Sequence, residues 1–321
     1  MSQNKKNNKL ASYCRNTVYS PERIKHYARV KHNIFKIYIA VLILLTSCAS
    51  PPVTRIAYPY KPEKLNLNWK SICSGIEIAD IYDKNLPLIG HIVKIDLQNP
   101  DISVITSEPA LFKNNEGLIR AETTYNFAKR HNTVVAFNAA AFQTSSRLSY
   151  LFDSHRKILG IHIAEGKQMS PVNESLAAIL FFDKGKAEII SRQTERAVPE
   201  NTVCAVSGFS VILRNKQIVK SSVNVRDSRM AVGLANGGLT LFVLSVEAEN
   251  TYKSQGLTYD ETALLMLELG AEDAMQLDGG GSSTLIINEK GKQRIAAPTI
   301  GPLILRRVAS NVGIIYKRLQ K

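Results

Sequence analysis

The chain has 321 residues, of which 45% are hydrophobic and 21% are charged, and this composition is typical of globular proteins. Its formal net charge of +14 would suggest a nucleic acid or an anionic membrane as partner if it were spread over a folded surface. Residues 1–47, however, hold nine of the 41 Lys and Arg and one of the 27 Asp and Glu, which leaves a net charge of +6 on the remainder. Because the sequence also has no nucleic-acid recognition motif, we exclude nucleic-acid binding as its function.

The N-terminal segment has the features of an export signal. Basic residues precede a short apolar run over 37–45, which is too short to span a bilayer but suits the core of a signal peptide. The run leads into Leu-Thr-Ser-Cys at 45–48, which resembles a bacterial lipobox, where cleavage leaves a lipid-carrying cysteine at the new N-terminus. We therefore predict a lipoprotein signal peptide over 1–47, and a lipid anchor on Cys48 that holds the protein on a membrane of the cell envelope, outside the cytoplasm. The alternative is an ordinary cleaved signal peptide, for which Cys48 has no role.

Residues 48–68 contain four prolines and are predicted to form an extended tether, followed by one large domain over 69–321. Beyond Cys48 the sequence has two cysteines, Cys73 and Cys204, which an oxidising compartment would allow to form a disulfide. A pair of buried free thiols is the alternative, since the sequence does not give their separation in space. Neither cysteine has a zinc-type spacing, so we predict no structural metal site. No cofactor is predicted, and a divalent cation held by Asp278 is left open as an alternative.

Strand patterns dominate the predicted domain, and helix patterns are few. The helix over 258–269 has the clearest signals, with a capping-box spacing at Thr258 and Glu261 and with Gly270 at its end. In chain order, strands are predicted over 90–97, 102–106, 133–137, 158–164, 176–182, 187–190, 203–213, 230–234, 239–246 and 311–316, and helices over 116–130 and 258–269. This order predicts an α+β fold, in which a single large domain of mostly antiparallel or mixed sheet carries a few packed helices.

A glycine-rich stretch follows the apolar run over 274–277, which stops at Asp278. Three glycines and two serines come next, before a second apolar run over 285–287. Because glycines cost backbone entropy, we expect them to serve close approach, with successive N–H groups forming an anion-binding concavity beside the carboxylate and the hydroxyls. The alternative is a glycine-rich hairpin turn. The candidate binding residues of this stretch are Asp278, Gly279, Gly280, Gly281, Ser282 and Ser283.

Polar residues also stand at the ends of three other predicted strands, at Asn138, Arg229 and Glu247. In a mainly β domain, polar residues at strand ends commonly line one rim of a sheet, so we take all three as candidate site residues. Each has a structural alternative. The alternative for Asn138 is a hydrogen bond to turn backbone, for Arg229 a surface ion pair, and for Glu247 a solvated position in a loop.

Residues 278–283 resemble the Asp-Gly-Gly-Gly-Ser-Ser signature of the phosphodiester glycosidase domain family, of the N-acetylglucosamine-1-phosphodiester alpha-N-acetylglucosaminidase type. Further motifs extend the resemblance over about 89–316, and their order along the chain supports it. They are Ile95-Asp96-Leu97, Thr123-Thr124, the run from Asn138 to Phe142, Ser207-Gly208, the run from Arg229 to Gly233, the run from Gly256 to Gly270, and Arg307-Val308 with Asn311.

The resemblance implies hydrolysis of a sugar-1-phosphodiester in the metabolism of a cell-envelope glycan or polysaccharide. Such a site must supply positive potential for the departing phosphate and a carboxylate near the anomeric carbon. It implies that Arg229 and the glycine N–H groups hold phosphate, and that Asp278 activates water or steadies the cationic sugar. It also implies that Glu247 is the second carboxylate and that Asn138 orients a sugar hydroxyl.

Two departures from the family pattern bear on the substrate. Ala139 and Ala140 stand where the family commonly has glycines, and their methyl groups narrow a pocket. Glu-Ala-Glu at 247–249 stands where the family has Asp-Gly-Arg, which removes one potential phosphate contact. These departures keep open a second function, that of a non-catalytic envelope lipoprotein that binds a phosphorylated glycan.

Overall fold

The computed structural model describes residues 67–83, 87–144, 154–194, 198–248, 253–289, 291–297 and 305–319. The predicted signal peptide, Cys48 and the tether up to residue 66 lie outside these ranges, as does Glu249. Within the described ranges, none of the helices has the length and apolar character needed to cross a membrane.

Strands make up most of the secondary structure in the described part of the chain. They are β1 (Lys70–Cys73), β2 (Ile76–Asp83), β3 (Leu88–Asp96), β4 (Ile102–Thr106), β5 (Leu118–Arg120), β6 (Glu122–Thr123), β7 (Val135–Asn138), β8 (Phe142–Gln143), β9 (His155–Ile158), β10 (His162–Ala164), β11 (Lys167–Ser170), β12 (Ala177–Phe182), β13 (Lys186–Ile190), β14 (Thr202–Gly208), β15 (Val211–Arg214), β16 (Gln217–Ile218), β17 (Arg229–Ala235), β18 (Thr240–Val246), β19 (Asp273–Gln276), β20 (Leu285–Glu289), β21 (Lys292–Ala297), β22 (Arg307–Val308) and β23 (Asn311–Tyr316). The α-helices are α1 (Thr124–His131) and α2 (Tyr259–Glu268). The predicted α+β class is confirmed.

Three sheets form the body of the protein, and the pairings between their described strands are antiparallel. The large sheet has eight strands in the order β1-β2-β3-β18-β17-β19-β15-β16. The second sheet has the order β11-β10-β14-β12-β13, and the third sheet has the order β21-β20-β7-β23-β4. Two small sheets, β22-β6 and β5-β9-β8, complete the described structure.

The large sheet buries both of its faces, and strand alternation decides which residue faces which layer. Along β18, Leu241 and Val243 point into the central core, which the second and third sheets also line. Phe242 and Leu244 point to the opposite face, where they share a second core with α2. The large sheet is therefore the middle layer between the other sheets and α2.

The first helix begins later than the sequence predicted. Residues 118–120 form strand β5, and α1 starts only after Thr123, whose hydroxyl accepts a hydrogen bond from the Asn126 N–H at 3.1 Å. The prediction of a helix from residue 116 was wrong because Leu118 and Ala121 fit a helical stripe as well as a strand. In the structure, Ile119 is buried in β5, where it pairs with Arg156 of β9.

Two predicted strands are each divided into two. The predicted strand 203–213 forms β14 in the second sheet and β15 in the large sheet, because the chain changes sheets after Gly208. A side chain at Gly208 would collide with the carbonyl oxygen of Gln276, so the crossing needs glycine. The predicted strand 158–164 is interrupted at Gly160, which has a φ of +83°.

Helix α2 forms as predicted. The Thr258 hydroxyl accepts from the Glu261 N–H at 3.2 Å, and the Glu261 carboxylate accepts from the Thr258 N–H at 2.9 Å, which completes the capping box. Gly270, with a φ of +90°, follows the helix and allows the chain to reverse. The same Glu261 carboxylate is bound by Arg226, with its Nε at 3.0 Å and its Nη2 at 2.5 Å.

The two cysteines of the domain are free thiols, so the disulfide alternative does not hold. Cys204 is buried in the central core, and Cys73 packs against the same core. Burial raises the pKa of the Cys73 thiol to about 11, so this cysteine is a poor nucleophile at neutral pH.

We expect Glu261→Gln to lower the free energy of unfolding by about 3 kcal/mol, because it removes the carboxylate charge that the buried Arg226 guanidinium binds. Urea denaturation at pH 7 measures this loss. The exposed Glu268 on the same helix supplies the control, since Glu268→Gln should change stability by less than about 0.5 kcal/mol. Equal effects of the two substitutions would contradict this account of the helix N-terminus.

Candidate active site

The glycine-rich stretch connects two sheets at one end of the structure. Strand β19 ends in the large sheet, the chain continues through residues 278–284, here called the glycine loop, and β20 begins in the third sheet. Strand β17 starts beside the same end, because Ala231 pairs with Gln276. The last residue of β18, Val246, pairs in turn with Arg229. The four predicted strand-end residues therefore belong to one end of the fold.

Main-chain hydrogen bonds hold the glycine loop. The Asp278 N–H donates to the Ala139 carbonyl at 2.8 Å, and the Gly280 N–H donates to the Ser228 carbonyl at 2.9 Å. The Ser283 N–H donates to the Gly280 carbonyl at 3.0 Å, and this bond closes a short 3-10 turn. The prediction that the N–H groups of all three glycines face a phosphate is therefore wrong for Gly280, whose donor is already bound to protein.

The glycines serve close approach, but to neighbouring groups of the protein. A Cβ at Gly279 would lie 2.8 Å from the Ser228 carbonyl oxygen, and a Cβ at Gly281 would lie 2.5 Å from Arg306 Nη2. Gly280 has a φ of +54°, and a Cβ there would lie 3.4 Å from an Asp227 carboxylate oxygen. Side chains at these positions would push a carbonyl, a carboxylate and a guanidinium away from the loop.

Asn138 connects the two ends of the glycine loop. Its Nδ2 donates to the Asp278 carbonyl at 2.7 Å, and its Oδ1 accepts from the Thr284 N–H at 2.8 Å. The residue is fully buried at the end of β7. The structure thus brings Asn138 to the predicted site, but its amide bonds turn backbone, as in the structural alternative, and the expected direct contact with a sugar hydroxyl is not supported.

The Asp278 carboxyl is half-buried in the glycine loop. Burial raises its pKa from 3.8 to about 6, against the lowering effect of a hydrogen bond from Ser282 and the charge of Arg306. Arg306 Nη1 also donates to Ser282 Oγ at 3.3 Å. Ser282 and Ser283 are both buried, so the two predicted serines are parts of the loop interior. Near neutral pH, Asp278 is therefore a carboxylate that readily takes up a proton.

Arg229 is a buried residue, 6% exposed, so the alternative of a surface ion pair does not hold. Its Nε donates to the Leu257 carbonyl at 2.7 Å, and its Nη2 donates to the Val225 carbonyl. The guanidinium lies over the ring of Tyr259, 4.8 Å from the ring centroid. A Cβ at Gly279 would lie 3.9 Å from Nη1, which is the side of Arg229 nearest the loop. Protein carbonyls thus engage Nε and Nη2, and the expectation that Arg229 holds phosphate stays a prediction.

Sequence reasoning missed three residues at this site. Tyr259 begins α2, and burial raises the pKa of its phenol, which Arg229 lowers and Asp278 and Asp227 raise further. This places Tyr259 within electrostatic reach of both carboxylates. Arg306 and Asp227 pack against the glycine loop, as described above. The sequence signalled Asp227 and Tyr259 only as neighbours of Arg229 and of the capping box, and it gave no signal for Arg306.

Glu247 lies at the same end of the large sheet, but its carboxylate turns towards a different group. Its Oε1 is 3.9 Å from His91 Nε2, and His91 Nδ1 is 2.9 Å from the Asp80 carboxylate. Burial raises the pKa of Glu247, and Lys253 lowers it. Its side chain is 28% exposed, so the alternative of a fully solvated loop residue does not hold.

The described residues hold no group of three or more His, Cys, Asp or Glu side chains arranged to bind a metal ion. What the glycine loop offers is a carboxylate with a raised pKa, two arginines and a phenol around one strand end. This arrangement suits an anionic ligand whose reaction needs a proton acceptor.

Comparison with known proteins finds similarity over much of the chain. The family model described as phosphodiester glycosidase matches residues 131–315. An uncharacterized SPbeta prophage-derived protein of Bacillus subtilis (strain 168), YomE, is 26% identical over 190 residues, which cover 54% of this chain and 27% of that protein. The chain thus spans little more than a quarter of this relative.

Solved structures share the fold. A hypothetical protein from Synechocystis matches with a TM-score of 0.60 and 14% identity, over 80% of this chain and 64% of that one. The catalytic domain of zebrafish N-acetylglucosamine-1-phosphodiester alpha-N-acetylglucosaminidase, auto-inhibited by its pro-peptide, matches with a TM-score of 0.54 and 22% identity, over 80% of this chain and 85% of that one.

The fold and the site define a sheet-rich protein with a carboxylate and arginines around a glycine loop that connects two sheets. The chain belongs to the phosphodiester glycosidase family, whose model covers more than half of it and includes the whole glycine loop. Membership confirms the predicted resemblance and supports a hydrolase of glycosyl phosphodiesters.

We expect Asn138→Ala to lower the free energy of unfolding by about 1–3 kcal/mol, because it leaves the Thr284 N–H and the Asp278 carbonyl without their amide partner. Chemical denaturation measures the loss. Asn126→Ala, at an exposed position of α1, is the control and should be nearly neutral. A loss no greater than that of the control would show that the amide does not hold the loop.

The raised pKa of Asp278 also predicts a pH-dependent stability. Between pH 3.8 and about 6 the folded protein binds more protons than the unfolded chain, so stability falls as pH rises through this window. Asp278→Asn removes this cost. We expect the variant to melt at a higher temperature than the parent at pH 7.5, with the difference shrinking towards pH 4. A difference that stays constant with pH would contradict the assignment.

Proposed function

We propose that the protein hydrolyses a sugar-1-phosphodiester at the glycine loop. The observation that carries this proposal is the half-buried Asp278 carboxyl, which has a pKa of about 6, is acted on by the charge of Arg306 and is followed by Gly279 near Arg229 Nη1. Family membership supports the reaction type. The sugar and the group on the other side of the phosphate belong to the proposal only as a class, a glycosyl phosphodiester.

Hydrolysis of a sugar-1-phosphodiester does not need a strong general acid. In the reaction, the bond between the anomeric carbon and the phosphate oxygen breaks, and its electron pair leaves with the phosphate as a phosphomonoester. Water forms the new bond to the anomeric carbon and gives up one proton. A phosphate anion is a good leaving group, so the site needs positive charge at the phosphate and a proton acceptor at the water.

The residues around the loop divide these tasks. Asp278 accepts the proton of the attacking water, for which a pKa of about 6 suits neutral pH. Arg306, and Arg229 through its Nη1 side, supply positive potential at the phosphate. Asn138 acts indirectly, because its amide fixes both ends of the loop that carries Asp278.

The cellular setting is also part of the proposal. The lipobox-like sequence at 45–48 and the basic, apolar leader support export and attachment to a membrane through a lipid on Cys48. A substrate in a cell-envelope glycan or polysaccharide follows from that location. Mass spectrometry of the membrane-extracted protein tests it, since a lipid-bearing N-terminal Cys48 is expected and an unmodified one would remove the anchor.

We expect the purified full chain to release free sugar from methyl phosphodiesters of sugar 1-phosphates, and Asp278→Asn to lower the rate at least about 100-fold. Liquid chromatography of the released sugar measures the reaction. Asp183→Asn, at an exposed turn remote in sequence from the loop, is the matched control and should keep the parent rate. Full activity in Asp278→Asn would remove Asp278 from the mechanism.

The pH dependence of kcat/KM follows from the same carboxyl. Because Asp278 must be ionised to act as a base, kcat/KM should rise with pH and reach half its maximum at about pH 6. Initial rates between pH 4 and 8 measure the profile. A half-maximum near pH 4, the range of an ordinary carboxyl, would contradict the proposed desolvated base.

A second function, glycan binding without turnover, is favoured by one observation. The Gly280 N–H donates to the Ser228 carbonyl, and the Arg306 guanidinium packs against Gly281. Protein groups therefore occupy part of the place where the phosphate was expected to bind. In this case the chain would bind a sugar-1-phosphodiester without releasing sugar, and Asp278→Asn would leave the affinity unchanged. Calorimetric titration beside the activity assay separates the two functions.

A further inference from the structure

We infer that Asp227, and not Glu247, is the second carboxylate that faces the substrate beside Asp278. The inference rests on the proposed function and names a further catalytic residue for it. In the sequence, Asp227 is visible only as one of several polar residues before β17. Three features of the structure support it: a fixed backbone, a carboxylate that packs on the glycine loop, and a charge that reaches the same phenol as Asp278.

The backbone of Asp227 is held on both sides. Its N–H donates to the Leu257 carbonyl at 3.3 Å, and the Leu257 N–H donates to its carbonyl at 3.2 Å. Its own Oδ1 accepts from the Ser228 N–H at 2.8 Å. These bonds fix the direction of the carboxylate before any ligand binds, which is what a catalytic group needs.

The carboxylate of Asp227 is directed at the glycine loop. Its Oδ2 is the atom nearest to a Cβ placed on Gly280, at 3.4 Å, and the Gly280 N–H is bonded to the adjacent Ser228 carbonyl. Gly280 is two residues from Asp278. Both carboxylates thus belong to the same short piece of backbone, Asp278 as part of it and Asp227 by packing on Gly280, where a side chain would meet the Asp227 carboxylate.

Tyr259 gives independent support for this arrangement. Arg229 lowers the pKa of the Tyr259 phenol, and Asp278 and Asp227 raise it, so the charges of all three residues act on one phenol. Arg229 stacks on that ring and carries the opposite charge. Asp227 is half-buried, as Asp278 is, so part of it remains accessible to a ligand.

Glu247 has a different environment. Its carboxylate lies beside His91, which is bound in turn to Asp80, and these three residues form a row across β18, β3 and β2. On β18 and β17, Val246 and Arg229 pair directly, so they share one face of the large sheet, and Glu247 follows Val246 towards the other face. Glu247 is therefore turned away from the face that carries Arg229 and Tyr259.

The two carboxylates take separate parts in the reaction. Asp278 takes the proton of water as its oxygen bonds to the anomeric carbon. The Asp227 carboxylate stabilises the positive charge that develops on the sugar while the bond to the phosphate oxygen breaks. Electrons and atoms balance with water alone, since the products are the free sugar, a phosphomonoester and the proton held by Asp278.

Kinetics of Asp227→Asn and Glu247→Gln, with Asp183→Asn as the control, test the inference. Asn can still accept the Ser228 N–H, so the fold is kept, which circular dichroism checks. We expect Asp227→Asn to lower kcat at least about 100-fold while KM changes less than about threefold, with the half-maximal pH still governed by Asp278. Glu247→Gln should cost less than about tenfold. A Glu247→Gln loss larger than that of Asp227→Asn would overturn the inference.

A second readout does not depend on turnover. In protein labelled with 13C at the aspartate carboxyls, the Asp278 signal is identified by its loss in Asp278→Asn and is titrated from pH 3 to 9. Asp227→Asn should move its midpoint down by at least about 0.3 pH units, because a neighbouring negative charge is removed, whereas Glu247→Gln should leave it in place. The reverse pattern would overturn the inference. If no diester is hydrolysed but this shift is seen, the proposed function fails while the paired carboxylates remain.

Discussion

The two-ended hydrogen bond of the Asn138 amide is the interaction on which the rest of the site depends. It joins the Asp278 carbonyl to the Thr284 N–H, and so fixes both ends of a loop that passes from the large sheet to the third sheet. A residue at the end of β7 thereby controls the position of a carboxylate far away along the chain. Without this connection, the glycines would make the loop too free to hold a carboxylate in a defined place.

The loop in turn sets the electrostatics of the site. Burial disfavours the charged form of Asp278 and raises its pKa, whereas Arg306 and the Ser282 hydroxyl stabilise the carboxylate and lower it. The resulting pKa is about 6. The glycines are needed for this balance, because a side chain at Gly281 would displace the Arg306 guanidinium. Tyr259 and Arg229 close the other side of the loop, so a carboxylate and positive charge stand together at one sheet end.

The sequence predicted the elements with strong local signals. Strands β4 and β23 have the predicted bounds, and helix α2 follows its capping box and ends before Gly270. The glycine loop was recognised from its composition alone. Local patterns failed where two structures fit the same residues, as at Leu118, which suits a helical stripe but lies in β5.

The partners within the site were harder to predict, because sheet register and chain crossings decide them. Asp227, Tyr259 and Arg306 are separated from Asp278 by 51, 19 and 28 residues, and no local pattern indicates that they meet. The glycine run predicts close approach of a ligand, whereas the groups that approach these glycines in the structure are protein side chains and carbonyls. Nor does a strand-end position show which face of the sheet a side chain takes, so the sequence alone could not show that Glu247 follows Val246 to the face opposite Arg229.

The central claim is that this carboxylate site breaks the bond between sugar carbon and oxygen, and leaves the phosphorus untouched. Hydrolysis of a sugar-1-phosphodiester in water enriched in 18O tests it most directly, with mass spectrometry of the phosphomonoester product. The account predicts a phosphomonoester without 18O, since water attacks the anomeric carbon. A phosphomonoester that carries one 18O atom would show attack at phosphorus and contradict the account.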